Sequence, residues 1–348
     1  IGDAVLDGWM IKPGGFDTSK KYPVIFEIYG EPASSTVQNT WGGGDLWHRF
    51  LANQGYLVMS IDPRGTNMPK GREWRKCIYG KVGIVAPADH AAAVRRSLEQ
   101  FPFMDPSRIG IWGWSGGGSM TLNAMFKYPE IYTTGIAVAF VSLQELYDTI
   151  YQERYMGLPS GNPEGYRQGS PLHFAANLDG NLMLIHGTGD DNVHYQSFEM
   201  LVNELIKQNK IFSMMSYPMR SHGIYERENT TYHLYQTMLK YWLEHLLLNP
   251  LSACKGQGNG NGDPIIPDPG PGEDTSQVAL YATSSDKSLL FSKVPLNFNK
   301  QNYQASNTIN LNSAEKYQEM DGFGAAITGS ACYNLLKMSE EERDALLK

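Results

Sequence analysis

The sequence contains a serine, an aspartate and a histidine whose types and order suit nucleophilic attack on an acyl group. Ser115 lies within Gly-Trp-Ser-Gly-Gly, Asp190 follows His-Gly-Thr-Gly, and His222 lies within Ser-His-Gly. A serine hydroxyl is a weak nucleophile near neutral pH, so a base must remove its proton as it attacks. An imidazole, with an ordinary pKa of about 6.5, suits that task, and a carboxylate holds the ring in the right tautomer. We therefore predict Ser115 as nucleophile, Asp190 as orienting acid and His222 as base.

Two of these three assignments have rivals nearby in the sequence. Asp191 could orient the imidazole, but it could also cap the helix expected to follow Tyr195. Three other histidines are candidate bases: His173, His186 and His194. His186 ends an apolar run and is expected to be structural, whereas His222 has the required order and precedes a long helix. We therefore favour Asp190 and His222 and keep the others as alternatives.

Apolar runs that alternate with helical stretches must position these side chains. Six runs predict strands: Val24–Tyr29, Tyr56–Ile61, Ile109–Trp112, Gly135–Ala139, Leu182–His186 and Phe212–Tyr217. Four stretches predict helices: Ala86–Gln100, Ser119–Lys127, Ser197–Gln208 and Thr230–Leu248. Such alternation is typical of a mostly parallel α/β sheet covered by helices, with ligands at the carboxyl ends of the strands. A G-x-S-x-G segment between a strand and a helix further predicts the α/β-hydrolase fold, in which a sharp turn lifts the serine above the sheet.

Composition argues against several other classes of protein. The net charge of −7 and the lack of Lys/Arg runs argue against a nucleic-acid partner. The cysteines Cys77, Cys254 and Cys332 lie far apart, so neither a disulfide framework nor a zinc site is expected. No apolar span reaches the length of a membrane helix, so we expect no transmembrane segment. The predicted chemistry requires no metal ion and no organic cofactor.

We expect three segments along the chain. Residues 1–249 carry the alternating strands and helices of an α/β-hydrolase domain. Residues 250–276 are rich in glycine and proline and poor in apolar residues, which indicates a disordered linker. Residues 277–348 resume a strand-like alternation and are expected to form a truncated, β-rich fragment.

The last segment carries a resemblance of its own. Tyr317–Gly329 contains Asp-Gly-Phe-Gly and resembles the start of the glucosylceramidase-type glycoside hydrolases. Such enzymes need two carboxylates flanking the glycosidic bond. Because those carboxylates would lie beyond Lys348, we expect no sugar cleavage from this fragment.

Four segments of the first domain carry a more specific resemblance. They are Gly-Trp-Ser-Gly-Gly-Gly from Gly113, the runs Tyr151–Pro159 and His186–His194, and Ser-His-Gly from Ser221. On these motifs, residues 1–249 resemble the catalytic domain of the prolyl oligopeptidase family, in particular its dipeptidyl-peptidase IV branch. The resemblance implies a catalytic triad of Ser115, Asp190 and His222.

The resemblance also assigns groups that would hold the substrate. The Tyr29 hydroxyl and the Gly116 amide would form the oxyanion hole, each supplying roughly 3 kcal/mol of transition-state stabilisation. Five residues would bind the substrate: Val141, Tyr147, Tyr151, Asn192 and Val193. Apolar and aromatic walls suit a proline ring, although core packing is the alternative role for Tyr29 and for the pocket walls. Gly116 stands where many relatives carry tyrosine, and Gln144 where some carry tryptophan, so alanine or another small residue would also fit.

Partners and location follow from the resemblance alone. In the family a β-propeller precedes the hydrolase domain and binds the amino terminus of the peptide substrate, so we expect such a propeller ahead of residue 1, outside the given sequence. No blade-like repeat is visible in this sequence. We also expect a homodimer through the hydrolase domain. Leu251–Cys254 resembles a bacterial lipoprotein cleavage box, which together with the family favours a periplasmic or cell-envelope location.

The sequence thus predicts a serine peptidase that cleaves peptides after Pro or Ala near the amino terminus, through an acyl-enzyme. The nearest alternative is an esterase on the same fold, because it would share the triad. A second alternative is a catalytically inactive binding module of the same fold.

Overall fold

The computed structural model describes residues 4–32, 34–38, 46–247, 280–282 and 292–294. The chain separates into two compact units, Ile1–Gly260 and Asn261–Lys348. The first unit contains every residue of the predicted site. Within the described part of the chain, no helix is both long enough and apolar enough to cross a lipid bilayer.

A seven-stranded sheet forms the centre of the first unit. Its strands are β1 (Gly8–Ile11), β2 (Tyr22–Glu27), β3 (Leu57–Ile61), β4 (Met104–Trp114), β5 (Thr134–Val138), β6 (Asn181–Gly187) and β7 (Ser213–Tyr217). They lie in the order β1-β3-β2-β4-β5-β6-β7. Strand β1 runs antiparallel to β3, and all other neighbours are parallel. The predicted mostly parallel sheet is therefore confirmed, with an antiparallel edge strand that the apolar pattern does not mark.

Eight α-helices are described in this unit. They are α1 (Leu46–Asn53), α2 (Gly71–Lys76), α3 (Val85–Gln100), α4 (Gly116–Lys127), α5 (Thr149–Met156), α6 (Pro163–Gly169), α7 (Gln196–Lys207) and α8 (Thr230–Trp242). A π-helical turn, Leu243–Leu247, continues α8. The four long helices, α3, α4, α7 and α8, match the sequence predictions. The other four span only six to eight residues each, too few for a helical period to show clearly in the sequence.

The central strands are buried on both faces because helices cover the sheet from both sides. Along β2, Val24 and Phe26 enter one apolar cluster and Ile25 enters the other, as the two-residue repeat of a strand requires. The second cluster includes Trp242 of α8, which is fully buried. A Cβ atom on Gly110 of β4 would lie 2.8 Å from the Trp242 ring, so the glycine lets the helix pack closely against the sheet. This rigid, two-sided core fixes the carboxyl ends of the strands.

Two short strands are described in the second unit. Strand β8 (Leu280–Ala282) pairs antiparallel with β9 (Ser292–Val294), with Leu280 opposite Val294. The predicted linker, residues 250–276, lies outside the described residues. So does the glycoside-hydrolase-like stretch Tyr317–Gly329.

Candidate active site

The nucleophile candidate sits on a strained turn between β4 and α4. Ser115 has φ 59° and ψ −123°, a conformation that costs a non-glycine residue on the order of 1–3 kcal/mol. Its backbone N–H donates to the Val138 carbonyl of β5 at 2.8 Å, which anchors the turn to the sheet. Cβ atoms on Gly113 and Gly117 would lie 2.4 and 2.2 Å from the Ile28 carbonyl oxygen. The glycines of the motif therefore allow the turn to press against the neighbouring loop, as a nucleophile elbow requires.

The acid candidate lies after β6 with four hydrogen-bond donors around its carboxylate. Asp190 Oδ1 accepts the backbone amides of Asn192 and Val193 at 3.0 and 2.9 Å. Its Oδ2 lies 2.7 Å from His222 Nδ1 and 3.2 Å from His186 Nε2. Burial alone would raise the pKa of Asp190, but the hydrogen bonds from the two imidazoles and from Val193 hold it well below its ordinary value. The group is therefore a fixed negative charge near neutral pH.

The base candidate lies in the loop after β7, and two contacts fix its place. Because a carboxylate only accepts, the bond from His222 to Asp190 puts the proton on Nδ1 and leaves Nε2 free to take a proton. The Trp114 indole Nε1 donates to the His222 carbonyl at 2.9 Å. Since Trp114 directly precedes Ser115, this bond ties the histidine loop to the elbow.

Among the described residues, no hydrogen bond joins the Ser115 hydroxyl to the His222 ring. Within the described residues, the Ser115 hydroxyl is hydrogen-bonded to the Tyr29 phenol, and the His222 ring to Asp190. Catalytic hydrogen bonds of this kind are often long or misaligned without substrate and tighten when it binds. An attacking serine would have to turn its hydroxyl from Tyr29 towards His222.

The rival residues occupy positions of a different kind. Asp191 is exposed, and helix α7 has no side-chain cap, so Asp191 does not cap that helix. His173 and His194 are exposed. His186 is fully buried, and its Nε2 lies 2.9 Å from the Val193 carbonyl and 3.2 Å from Asp190 Oδ2, so both acceptors share the one proton on that nitrogen. His186 thus contacts the Asp190 carboxylate from the buried interior, which is a structural role of the kind expected for it.

Tyr29 and Gly116, the two predicted oxyanion-hole donors, line the same cavity as Ser115. Tyr29 follows β2, and Gly116 begins α4, whose first amides have no acceptor within the helix. Burial raises the pKa of the Tyr29 phenol, and the neighbouring Glu31 carboxyl raises it further, against the opposite effect of the Ser115 hydrogen bond. The phenol therefore keeps its proton and can donate it in a hydrogen bond.

A small cavity opens beside Ser115 at the carboxyl edge of the sheet. It is lined by Tyr29, Glu31, Ser115, Gly116, Val141, Gln144, Tyr147, Tyr151 and Gln152. Val141, Tyr147 and Tyr151, three of the five predicted substrate-binding residues, are thus brought together. The rings of Tyr147 and Tyr151 meet edge to face with centroids 5.5 Å apart.

The other two predicted substrate-binding residues lie outside this lining. Asn192 is exposed, and its Oδ1 accepts a hydrogen bond from the Tyr147 hydroxyl at 3.0 Å, so it borders the cavity through that tyrosine. Val193 is buried, and its backbone amide donates to Asp190. Val193 thus contacts the acid through its backbone amide and does not line this cavity.

Glu31, like Gln152, lines this cavity although the sequence analysis gave it no role. It is only 6% exposed, and burial raises the pKa of its carboxyl to about 7, despite the hydrogen bond that it accepts from the Tyr151 hydroxyl. A Cβ atom on Gly116 would lie 2.2 Å from Glu31 Cγ, so the glutamate fills the space of a side chain at position 116. The available signal was a charged residue two positions after the predicted oxyanion tyrosine.

Comparisons with known proteins agree with the fold. The profile described as the prolyl oligopeptidase family matches residues 46–248. The chain is 37% identical to the mouse prolyl endopeptidase FAP over 69% of its own length and 32% of the mouse protein. It is 36% identical to a probable dipeptidyl-aminopeptidase B of Uncinocarpus reesii, over 68% of the chain and 26% of that protein.

Solved structures give the same result. The crystal structure of Porphyromonas gingivalis dipeptidyl peptidase 4 matches with a TM-score of 0.66 and 40% identity, covering 69% of this chain and 34% of that one. A putative dipeptidyl aminopeptidase IV from Bacteroides ovatus matches with a TM-score of 0.67 and 33% identity, covering 70% and 34%. The chain therefore spans about a quarter to a third of the length of these proteins.

Proposed function

Because the chain belongs to the prolyl oligopeptidase family, we propose that it is a serine peptidase in which Ser115 attacks, His222 is the base and Asp190 orients the imidazole. The observation that carries the proposal is the 2.7 Å hydrogen bond between Asp190 Oδ2 and His222 Nδ1. It holds the ring in the tautomer a base needs, on a loop that Trp114 fastens to the elbow.

Each step uses a group that the geometry provides. Ser115 Oγ adds to the carbonyl carbon while His222 Nε2 takes the hydroxyl proton. The negative oxygen that forms is stabilised by the Tyr29 hydroxyl and the Gly116 amide. When this tetrahedral intermediate collapses, the carbon–nitrogen bond of the peptide breaks and the imidazolium gives its proton to the leaving amine. Water activated by His222 then hydrolyses the acyl-enzyme and restores Ser115.

The proposed substrates are peptides cleaved after Pro or Ala near their amino terminus. Supporting this preference, tyrosine rings and Val141 line the cavity beside Ser115, and a pyrrolidine ring has no N–H that such walls would leave unpaired. Release of dipeptides is supported by the names of several relatives. Other relatives, the mouse protein among them, are named as endopeptidases, so free and blocked amino termini need comparison.

Turnover of Gly-Pro and Gly-Ala p-nitroanilides by the full chain tests the proposal. We expect measurable release of p-nitroaniline that Ser115→Ala abolishes, while Ser160→Ala, a change at an exposed serine that does not line the cavity, should leave it unaltered. Retained activity in Ser115→Ala refutes the assignment. A benzyloxycarbonyl-blocked Gly-Pro substrate reports the need for a free amino terminus, and loss of turnover on blocking supports dipeptide release.

The esterase on the same fold is the rival that the shared triad supports. p-Nitrophenyl esters separate the two, because an esterase hydrolyses them without cleaving the amides. Labelling of folded protein by a fluorophosphonate at Ser115 excludes the inactive binding module, and its failure supports that module.

A further inference from the structure

The cavity beside Ser115 contains a buried acid without a cationic partner. In the residues that the structure describes, no lysine, arginine or histidine forms an ion pair with Glu31. Its one side-chain hydrogen-bond donor there is the neutral Tyr151 hydroxyl. Buried carboxylates are usually paired, so an unpaired one that faces a cavity at a reactive serine calls for a donor from outside the chain.

A second acceptor in the same cavity is also unsatisfied. Gln152 is 4% exposed, and its Oε1 has no hydrogen-bond partner among the described residues. The orientation of this amide is fixed by its neighbours. Gln144 Nε2 donates to the Gly169 carbonyl at 3.2 Å, so Gln144 Oε1 faces Gln152 and accepts from its Nε2 at 2.6 Å. Gln152 Oε1 is therefore the free end of the chain of amides.

These features define the chemistry of a ligand that would fit the cavity. Two acceptors, one of them ionisable, lie in a cavity whose walls include the rings of Tyr147 and Tyr151. An alkyl ammonium supplies several donors and a positive charge, and it is also attracted to aromatic faces. A proline ring or a methyl group supplies no donor, so Glu31 would keep the Tyr151 hydroxyl as its one side-chain partner and Gln152 Oε1 would gain none.

We propose that Glu31 is a specificity-determining residue that admits a lysine-type ammonium side chain on the residue whose carbonyl Ser115 attacks. The proposal rests on the peptidase function above, and it adds a cationic class to the Pro and Ala substrates. Glu31 would accept the ammonium, with Gln152 Oε1 as a second acceptor.

The cost of entering the cavity favours an ammonium over an uncharged side chain. Its volume is ≈ 30 Å³ while the Tyr151 hydroxyl is bonded to Glu31. Any longer side chain must break that bond to enter. An ammonium replaces the lost donor at Glu31 with a stronger, charged one, whereas an uncharged chain of the same length does not.

The charge of Glu31 also acts on the reaction itself. Tyr29, on the same loop, is close enough for the carboxylate to raise the pKa of its phenol, and the same field opposes an oxyanion bound there. Tyr147 and Tyr151, around α5, also interact with the carboxylate, and neither supplies a positive charge. Burial raises the pKa of Glu31 to about 7. Neutral substrates should therefore react faster when Glu31 is protonated. With a lysine-type substrate, the bound ammonium should offset the repulsion between ionised Glu31 and the oxyanion.

Paired substrates test this proposal in the full chain. Gly-Lys and Gly-norleucine p-nitroanilides differ in the ammonium but little in length, and Gly-Pro reports the basal reaction. In the parent protein we expect kcat/KM for lysine to exceed that for norleucine at least tenfold at pH 8. Glu31→Gln, which keeps shape and removes charge, should lower the ratio to about one or below. Glu153→Gln removes an exposed carboxylate from the same helix as Tyr151 and should leave the ratio unchanged.

The pH profiles provide a second signature. For Gly-Pro and Gly-norleucine, kcat/KM should fall above pH 7 relative to its value in Glu31→Gln, whereas for Gly-Lys it should not. A lysine-to-norleucine ratio that Glu31→Gln leaves unchanged overturns the proposal. So does a selective loss of single-residue substrates such as alanine p-nitroanilide, because Glu31 would then bind the α-ammonium group.

A binding measurement separates this proposal from the peptidase assignment. Ligand-observed NMR with n-butylammonium, and with n-pentanol as the uncharged control, needs no turnover. We expect butylammonium to bind the parent protein and Ser115→Ala alike, and at least tenfold more weakly to Glu31→Gln. Binding with no amide hydrolysis would refute the peptidase and keep the cation site. If the chain hydrolyses Gly-Pro p-nitroanilide but binds butylammonium equally well with and without Glu31→Gln, the peptidase assignment stands and the cation site is refuted.

Discussion

Two buried carboxylates lie at the same edge of the sheet, and their surroundings have opposite effects. Asp190 accepts four hydrogen bonds, two from imidazoles, and its pKa is lowered. Glu31 accepts one from a neutral phenol, and burial raises its pKa to about 7. Environments that push the pKa values of two acids apart mark two different roles.

The difference shows which charges the fold supplies and which it leaves to the substrate. Around Asp190 the chain provides every partner, so the charge is permanent and holds one imidazole in one orientation. Around Glu31 the described residues provide no cation, and Gln152 leaves a second acceptor open. We infer two sides of the site that meet at Ser115. The fixed side is Asp190 with His222, and the adaptable side is the cavity around Glu31 and Gln152.

The largest expected effect comes from changing the fixed side. Asp190→Asn keeps the shape of the acid but permits the wrong tautomer of His222, so kcat should fall by about 10⁴-fold. Steady-state kinetics with Gly-Pro p-nitroanilide measure it. The matched change Asp191→Asn removes the exposed carboxylate of the adjacent residue and should alter kcat less than twofold. Equal losses in the two variants would contradict the assignment of the acid.

Tyr29 lies between the two sides and should give the next largest effect. Tyr29→Phe removes the phenolic donor while keeping the ring, and kcat should fall by about 10²–10³-fold if the hydroxyl stabilises the oxyanion. Tyr22→Phe provides a control tyrosine on the preceding strand. A loss below twofold would remove Tyr29 from the mechanism and leave it a packing role.

The raised pKa of Glu31 predicts a pH-dependent loss of stability. The unfolded carboxyl ionises near 4.5 and the folded one near 7, so the folded state binds more protons between these values and stability falls as pH rises through them. Glu31→Gln abolishes this contribution. Relative to the variant, the parent protein should lose about 3 kcal/mol of unfolding free energy between pH 4 and pH 8.

Chemical denaturation of both proteins across this range measures the difference, in which the shared titrating groups cancel. A difference that does not vary with pH would show that Glu31 ionises at its ordinary pKa, and the contrast with Asp190 would disappear.

The smallest effect tests the steric relation between Glu31 and Gly116. Gly116→Ala places a Cβ 2.2 Å from Glu31 Cγ and should destabilise the fold by about 1–3 kcal/mol. In the background Glu31→Ala the same change should cost much less, because the space is empty. Thermal denaturation of the four proteins gives the coupling energy, and additive effects would show that Glu31 does not fill that space.

The main features of the fold could be predicted because they depend on repeating patterns. Both faces of β2 to β6 are covered, so these strands appear in the sequence as continuous apolar runs. Strand β1 has only four residues with one exposed end, and α2 and α6 span six and seven, so their local signals are weak. The start of α4 at Gly116 was missed because three glycines oppose helix formation locally, while close packing around the elbow requires them.

The site was predictable to the extent that its residues lie in ordered motifs. Ser115, Asp190 and His222 follow β4, β6 and β7, and the parallel sheet brings these strand ends to one edge. Their catalytic roles stay predictions. Glu31 escaped because its importance depends on the absence of a side chain at Gly116 and on a hydrogen bond to Tyr151, which is 120 positions away. Such a long-range contact has no local signature.

Covalent trapping of the nucleophile tests the central claim most directly. The full chain is treated with a Gly-Pro diphenyl phosphonate, digested, and mapped by mass spectrometry, with the rate of modification followed in parallel for Asp190→Asn. We predict one adduct per chain, on Ser115, forming at least 10³-fold more slowly when the acid is changed. An adduct on another residue of the folded protein, or an unchanged rate in Asp190→Asn, would contradict the account.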